Sequence, residues 1–184
     1  RRQQILDAAE RCFRERGFHN ASMAEIAKTF GMSAGHIYNY FDSKEAIIAA
    51  IVERDLAGFF QRAEELRAAG DLLEAIVERI EAGVADKLDR RKSALQLEVL
   101  AEAGRSPPIA DMVQSVDARV RAVLRKLLHD GLPAGRGTRD LDGKIDVLMA
   151  LFDGLMVRAL RHPGISRQQV TRVWRSAIRT LLLD

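Results

Sequence analysis

Cysteine is almost absent from this 184-residue chain: Cys12 stands alone. A single cysteine excludes an internal disulfide framework and any cysteine-based metal cluster, and it suits a reducing cytoplasm. Proline is scarce at four residues and aromatics make up only 5% of the chain. No apolar run approaches the roughly 18 residues that a membrane span needs, and no secretory signal pattern is visible. Charge of one sign is also lacking, with 29 Lys and Arg against 26 Asp and Glu for a net +3. In the first 50 residues seven basic side chains face six acidic ones, so bulk charge does not point to nucleic acid. Catalytic signatures are missing as well: there is no Gly-rich phosphate loop, no G-x-S-x-G and no H-E-x-x-H. The histidines His19, His36, His129 and His162 are scattered, with no metal-ligand partner at helical spacing. These absences predict a non-enzymatic chain with no metal and no cofactor. The first residue is Arg rather than Met, from which a preceding native segment is expected.

What is present is helical periodicity. Hydrophobic residues make up 47% of the chain and recur at i, i+3 and i+4, which predicts an all-α fold with an ample core. The organising stretch runs from Ser22 to Lys44, SMAEIAKTFGMSAGHIYNYFDSK. Ser22 with Glu25 forms an S-x-x-E capping box, followed by Ile26, Ala27 and Phe30 as the apolar face of a short helix. Gly31 ends that helix where positive φ is needed, Met32 packs the corner, and Ser33 caps a second helix reaching about Phe41. Two short helices joined by a tight turn containing Gly form a helix-turn-helix, whose second helix enters the major groove of DNA.

At about 100° per residue, Phe41 and Ala34 fall within about 60° of Ile37 and define the buried side of that second helix. Gly35, His36 and Asn39 fall on the opposite side, with Tyr38 and Tyr40 on the flanks. An amide and an imidazole then centre the outward face, where they can bond base edges, and Asn suits adenine in particular. The phenols sit at the rim, at the level of phosphates, and Gly35 lets backbone approach a groove wall or a thymine methyl. The candidate DNA-binding set is Ser22, Met23, Ser33, Ala34, Gly35, His36, Tyr38, Asn39, Tyr40 and Lys44.

The run from Gly31 to Ile47, G-M-S-A-G-H-I-Y-N-Y-F-D-S-K-E-A-I, resembles the recognition-helix signature of the tetracycline-repressor-like (TetR) transcription regulators. So does the upstream pattern of Ile5, Ala8, Ala9, Phe13, Gly17 and Phe18 followed by Ser22, Ile26 and Ala27. The resemblance covers about the first 50 residues and extends beyond them only in the number and length of helices. Family regulators usually carry an aromatic residue followed by His before the Phe; this chain has Asn39 and Tyr40 there. The resemblance implies a DNA-binding regulator, a phosphate contact from Lys44, and a basic segment ahead of the first helix that touches DNA.

Around that motif, a first helix is expected from about Arg2 to Arg16, with Ile5, Ala8, Ala9, Cys12 and Phe13 facing inward. Cys12 reads as a small core hydrophobe, and His19 as a loop residue. Gly17 and Phe18 predict a Schellman ending closed by a Phe13–Phe18 contact. Asp42 with Glu45 predicts a capping box that opens a fourth helix to about Ala69, the mechanical link between head and body. Lys44 in its first turn is either a phosphate contact or an exposed surface charge. Helices are then expected from Asp71 to about Asp89, Ser93 to Ala103, Pro108 to His129, about Leu141 to Arg161, and Ser166 to Leu183. Arg90-Arg91-Lys92 reads as a solvated corner and Leu132 to Asp140 as a flexible loop. The division is a helix-turn-helix domain over 1–46 and a C-terminal ligand-binding and dimerisation domain over 47–184.

The helices over 141–161 and 166–183 have more apolar circumference than one internal contact requires, which suggests a subunit interface. The resemblance implies the same: a homodimer through a four-helix bundle of the last two helices. The region from about Phe59 to Leu160 is expected to form a bundle with a cavity, in which the family binds a small, often apolar effector. Candidate lining residues are Phe59, Leu95, Glu98, Met112, Val116, Phe152 and Met156, each equally readable as plain core. Glu98, among Leu97, Val99 and Leu100, marks a polar or cationic ligand or else faces solvent. The expected function is a cytoplasmic, homodimeric repressor on a pseudo-palindromic duplex operator, with repressor over activator resting on family analogy. The alternative is a helical adaptor that binds protein with its N-terminal domain.

Overall fold

A computed structural model describes residues 1–132 and 138–183, and these form nine α-helices with no strand among them. They fall into two units, Arg1–Gly58 with Ala94–Val116, and Phe59–Ser93 with Asp117–Asp184. No helix among the described residues is long and apolar enough to cross a membrane.

The first unit is built on α1 (Arg2–Arg16), α2 (Met23–Phe30), α3 (Ala34–Tyr38) and the start of α4 (Lys44–Arg67). Its core is aliphatic: Ile5, Ile26, Ile37, Ile47, Ile48 and Ile51 are all fully buried around Phe13 and Phe18. Each such side chain contributes about 1.5–3 kcal/mol by leaving water. Cys12 belongs to this core, and burial pushes its thiol up from the ordinary value. That is the environment of a packing residue rather than a reactive one.

The helix ends follow local chemistry with two exchanges. The Schellman ending expected at Gly17 is found at Gly31 instead. Gly31 is left-handed (φ 81°, ψ 29°), the Met32 amide donates to Ala27 O at 3.0 Å, and the Gly31 amide donates to Lys28 O at 3.2 Å. At Gly17, φ is 78° but ψ is 154°, so the chain swings outward after a single bond from the Gly17 amide to Phe13 O. The Phe18 amide is thereby turned away from the helix and meets the Glu98 carboxylate at 3.1 Å. The Phe13–Phe18 contact forms as expected, with ring centroids 5.2 Å apart.

The second exchange lies at α4. Its first turn is capped by Ser43, whose Oγ accepts the Ala46 amide at 3.1 Å, one residue later than the Asp42–Glu45 box predicts. Helix α3 ends at Tyr38 rather than near Phe41. Ile37 O there accepts the amides of both Tyr40 (2.8 Å) and Phe41 (3.0 Å), which tightens and closes the helix.

In the second unit α5 (Leu72–Leu88) packs against α8 (Leu141–Arg161) and α9 (Arg167–Leu183). Asp71 Oδ1 caps α5 by accepting the Glu74 amide at 3.0 Å. The core draws on Leu72, Val77, Ile80, Val84, Ile145, Leu148, Ile178 and Leu182, with Phe152 edge-on to Trp174 at 4.8 Å. Glu81 and Glu74 of α5 pair with Arg167 (2.8 Å) and Arg179 (2.6 Å) of α9. The Arg90-Arg91-Lys92 run is the exposed first turn of α6 (Arg90–Ala103) rather than a corner before it. Asp89 starts that helix, its Oδ1 accepting the Arg91 amide at 2.8 Å. Helix α7 spans Pro107–Gly131. Of the loop expected over Leu132 to Asp140, residues 133–137 lie outside the described part of the chain.

Candidate nucleic-acid interface

The site begins with two caps and two anchors. Ser22 and Glu25 form the complete capping box at the start of α2, and Gly31 turns the chain into α3. Helix α3 is only five residues long, too short to hold its own shape in water. It is held by Ile37, fully buried, and by Phe41, 4% exposed, with Ala34 packed against the same core. Pinning that side leaves the other outward: Gly35, His36 and Asn39 are exposed, as are Tyr38 (51%) and Tyr40 (38%). The helical projection of the sequence therefore reproduces the observed faces.

The polar groups on this face are partly pre-set. Ser33 Oγ lies 3.4 Å from His36 Nδ1, which steadies the ring and leaves Nε2 to an outside partner. Asn39 follows α3 in a helical conformation, φ −69° and ψ −13°, so its amide side chain continues the exposed face. The Ser22 hydroxyl is engaged in its cap, and the Met23 side chain is buried in the core. Both donors of Ser22, its amide and its hydroxyl, go to the Glu25 carboxylate, so what is left at this end of α2 is the backbone just after the cap, at Met23. Lys44 donates from Nζ to Phe18 O at 3.0 Å and His19 O at 3.1 Å, and its ammonium sits 4.7 Å from the Phe18 ring centroid. Two of its three N–H donors are thus engaged. Arg2 lies over the Phe41 ring at 4.5 Å and adds a cation beside the second anchor.

One supporting group escaped sequence reasoning. Arg54 of α4 binds Glu10 of α1 and, at 3.3 Å, Asp7. This strap joins α1 to α4 across 44 residues, and a pair so distant leaves no periodic trace in the sequence.

The seven candidate effector residues are divided between the units. Leu95, Glu98, Met112 and Val116 belong to the first, where Leu95 and Met112 pack into its core. Phe59, Phe152 and Met156 belong to the second; Phe59 meets Phe60 at 6.0 Å and Phe152 meets Trp174. Lys87 Nζ approaches Met156 Sδ at 3.8 Å. An open groove of about 720 Å³ at the start of α9 is lined by Glu81, Thr171 and Arg172, among others, and by none of the seven.

Comparison with known proteins agrees along most of the chain. Residues 5–51 match the sequence profile described as bacterial regulatory proteins, tetR family. Residues 69–183 match the profile of the BetI-type transcriptional repressor C-terminal region. The HTH-type transcriptional regulator UidR of Escherichia coli (strain K12) is 32% identical over 145 residues, covering 77% of this chain and 71% of that protein. Among solved structures, GusR of Salmonella enterica superposes with a TM-score of 0.75 at 30% identity, covering 96% of this chain and 94% of that one. A transcriptional regulator from Saccharomonospora viridis in complex with choline superposes with a TM-score of 0.78 at 25% identity, covering 100% and 97%.

Proposed function

Because the chain belongs to the tetR family of bacterial transcription regulators, we propose that it is a homodimeric repressor released from a pseudo-palindromic operator by a small effector. The observation that carries this reading is the outward face of α3, where His36 and Asn39 stand exposed because Ile37 is fully buried behind them. Gly35, His36 and Asn39 would meet base edges in the major groove, with Ala34 at the wall. Ser33, Tyr38, Tyr40, the Met23 backbone amide and the third N–H of Lys44 would meet phosphates and fix the pose, with Ser22 holding the start of α2 through its cap.

Dimerisation supplies the second half-site. One short recognition helix offers too few base contacts for useful selectivity, whereas two heads about 34–36 Å apart read successive major grooves. Support for the interface comes from α8, where Gly143, Val147, Ala150, Leu151 and Gly154 form an exposed, small-and-apolar stripe. In α9, Val173 is 63% exposed. The choline found with the Saccharomonospora viridis relative supports a small-molecule effector, which would act by its preference for one head spacing. That it is apolar here is supported only by the Met-, Leu-, Val- and Phe-rich composition of the C-terminal helices. Such a protein works in the cytoplasm, beside its DNA.

A mobility-shift titration with the DNA upstream of the protein's own reading frame tests the proposal. The expected result is a specific, salt-sensitive complex of one dimer per site. A scrambled duplex bound equally well would overturn it, and would leave the adaptor reading as the one to pursue.

A further inference from the structure

The turn between α1 and α2 is gripped by groups from two other helices. Glu98, on α6, accepts the Phe18 amide N–H at 3.1 Å. Lys44, on α4, donates to the carbonyls of Phe18 and His19 at 3.0 and 3.1 Å. Successive peptide groups are thus held by a carboxylate on one side and an ammonium on the other. The Phe18 side chain between them is buried against Phe13. Hydrogen bonds to charged groups are among the stronger kind, and a half-buried amide that loses its partner is costly.

Gly17 makes room for this arrangement. Its φ is +78°, and a Cβ built there would stand 3.3 Å from Glu98 Oε2 and 3.6 Å from Oε1. A side chain at position 17 would strain the backbone and press the carboxylate away from the Phe18 amide. The turn is also closed on itself, since the Ala21 amide donates to Gly17 O at 3.2 Å and the next residue is the Ser22 cap. A shift at Gly17 or Phe18 is therefore passed to the first turn of α2.

We infer that Glu98 is a positioning residue for DNA reading: with its carboxylate seated over Gly17, it sets the turn from which α2 and α3 are presented to the duplex. This rests on the regulator reading above and adds a residue of α6 to it. Base-edge contacts depend on pose, whereas phosphate contacts tolerate displacement, so the loss of Glu98 falls on specific binding. Gly17 and Glu98 act as one device, which makes their effects non-additive.

The test uses the full chain and fluorescence anisotropy on two duplexes, the operator fragment from the upstream DNA and a scrambled version of it. Glu98→Gln keeps an amide oxygen that accepts the Phe18 N–H and is expected to stay within about twofold of the parent on both. Glu98→Leu, similar in bulk but with no acceptor, is expected to lose about tenfold on the operator with the scrambled duplex unchanged. Gly17→Ala should show the same selective loss, and the double variant little more. The inference is overturned if Glu98→Leu keeps the parental ratio of specific to non-specific affinity. It is equally overturned if Gln and Leu fall alike, or if both duplexes weaken together with the melting temperature. A parent protein that does not prefer the operator would instead sink the regulator reading itself.

Discussion

Ser22 and Glu25 cap one another: the Ser22 amide donates to Glu25 Oε2 at 2.9 Å while the Glu25 amide donates to Ser22 Oγ at 3.2 Å. The bond from the Ser22 backbone, followed by that from its hydroxyl, holds the Glu25 carboxyl below the usual range. A depressed carboxyl stabilises the fold above its unfolded value, near about 4.3, and that contribution is lost as pH falls through the folded value. Lowering the pH from about 5 should therefore reduce the melting temperature of the head. Glu25→Gln, which keeps the cap but does not titrate, should flatten that part of the acid limb in circular-dichroism melts.

The left-handed turn at Gly31 is the next point of weakness. Nothing lies within 4 Å of a Cβ placed there, so the cost of a side chain is conformational rather than steric. Gly31→Ala should destabilise by about 1 kcal/mol, and Gly31→Asn by less. Chemical denaturation with the parent as reference checks both.

Stability and reading should separate cleanly on α3. Ile37→Ala removes a fully buried side chain and should cost about 2–5 kcal/mol, with DNA binding falling as the head loosens. Asn39→Ala, at an exposed position, should leave stability within about 0.5 kcal/mol. It should still lose about 1–3 kcal/mol of discrimination at one base pair of each half-site. Paired melts and binding curves on single-substitution operators resolve the two effects.

The proposed subunit contact should be breakable from α9. Val173→Asp places a charge in the most exposed large apolar position and should shift the protein toward monomer in sedimentation velocity. Operator affinity should fall in the same preparation while the circular-dichroism spectrum is retained. A dimer undisturbed by this change, and by Leu151→Asp on α8, would place the interface elsewhere.

The sequence was most legible where the determinants are local. Ser22 with Glu25, Gly31 as a left-handed stop, and the inward triad of Ala34, Ile37 and Phe41 all act within a few residues, and each appears in the structure as expected. Helix limits were less so: α3 stops at Tyr38, with Ile37 O taking the amides of both Tyr40 and Phe41, and Ser43 rather than Asp42 begins α4. Competing caps one residue apart have nearly equal local merit, and tertiary packing decides between them. The Arg54–Glu10 strap and the Glu98 grip on Phe18 were out of reach, since they join residues 44 and 80 positions apart. Glu98 illustrates the difficulty: its apolar sequence neighbours suggested a ligand pocket, whereas its observed partner is an amide freed by the backbone at Gly17.

A helix of five residues that borrows its shape from two anchors has a further consequence. Positions 35, 36 and 39 are exposed, so on the proposed reading new side chains there would alter which base letters are preferred without loosening the scaffold. Duplicated copies of such a gene can drift apart in target choice at almost no thermodynamic penalty, and the head is in effect a socket for interchangeable keys.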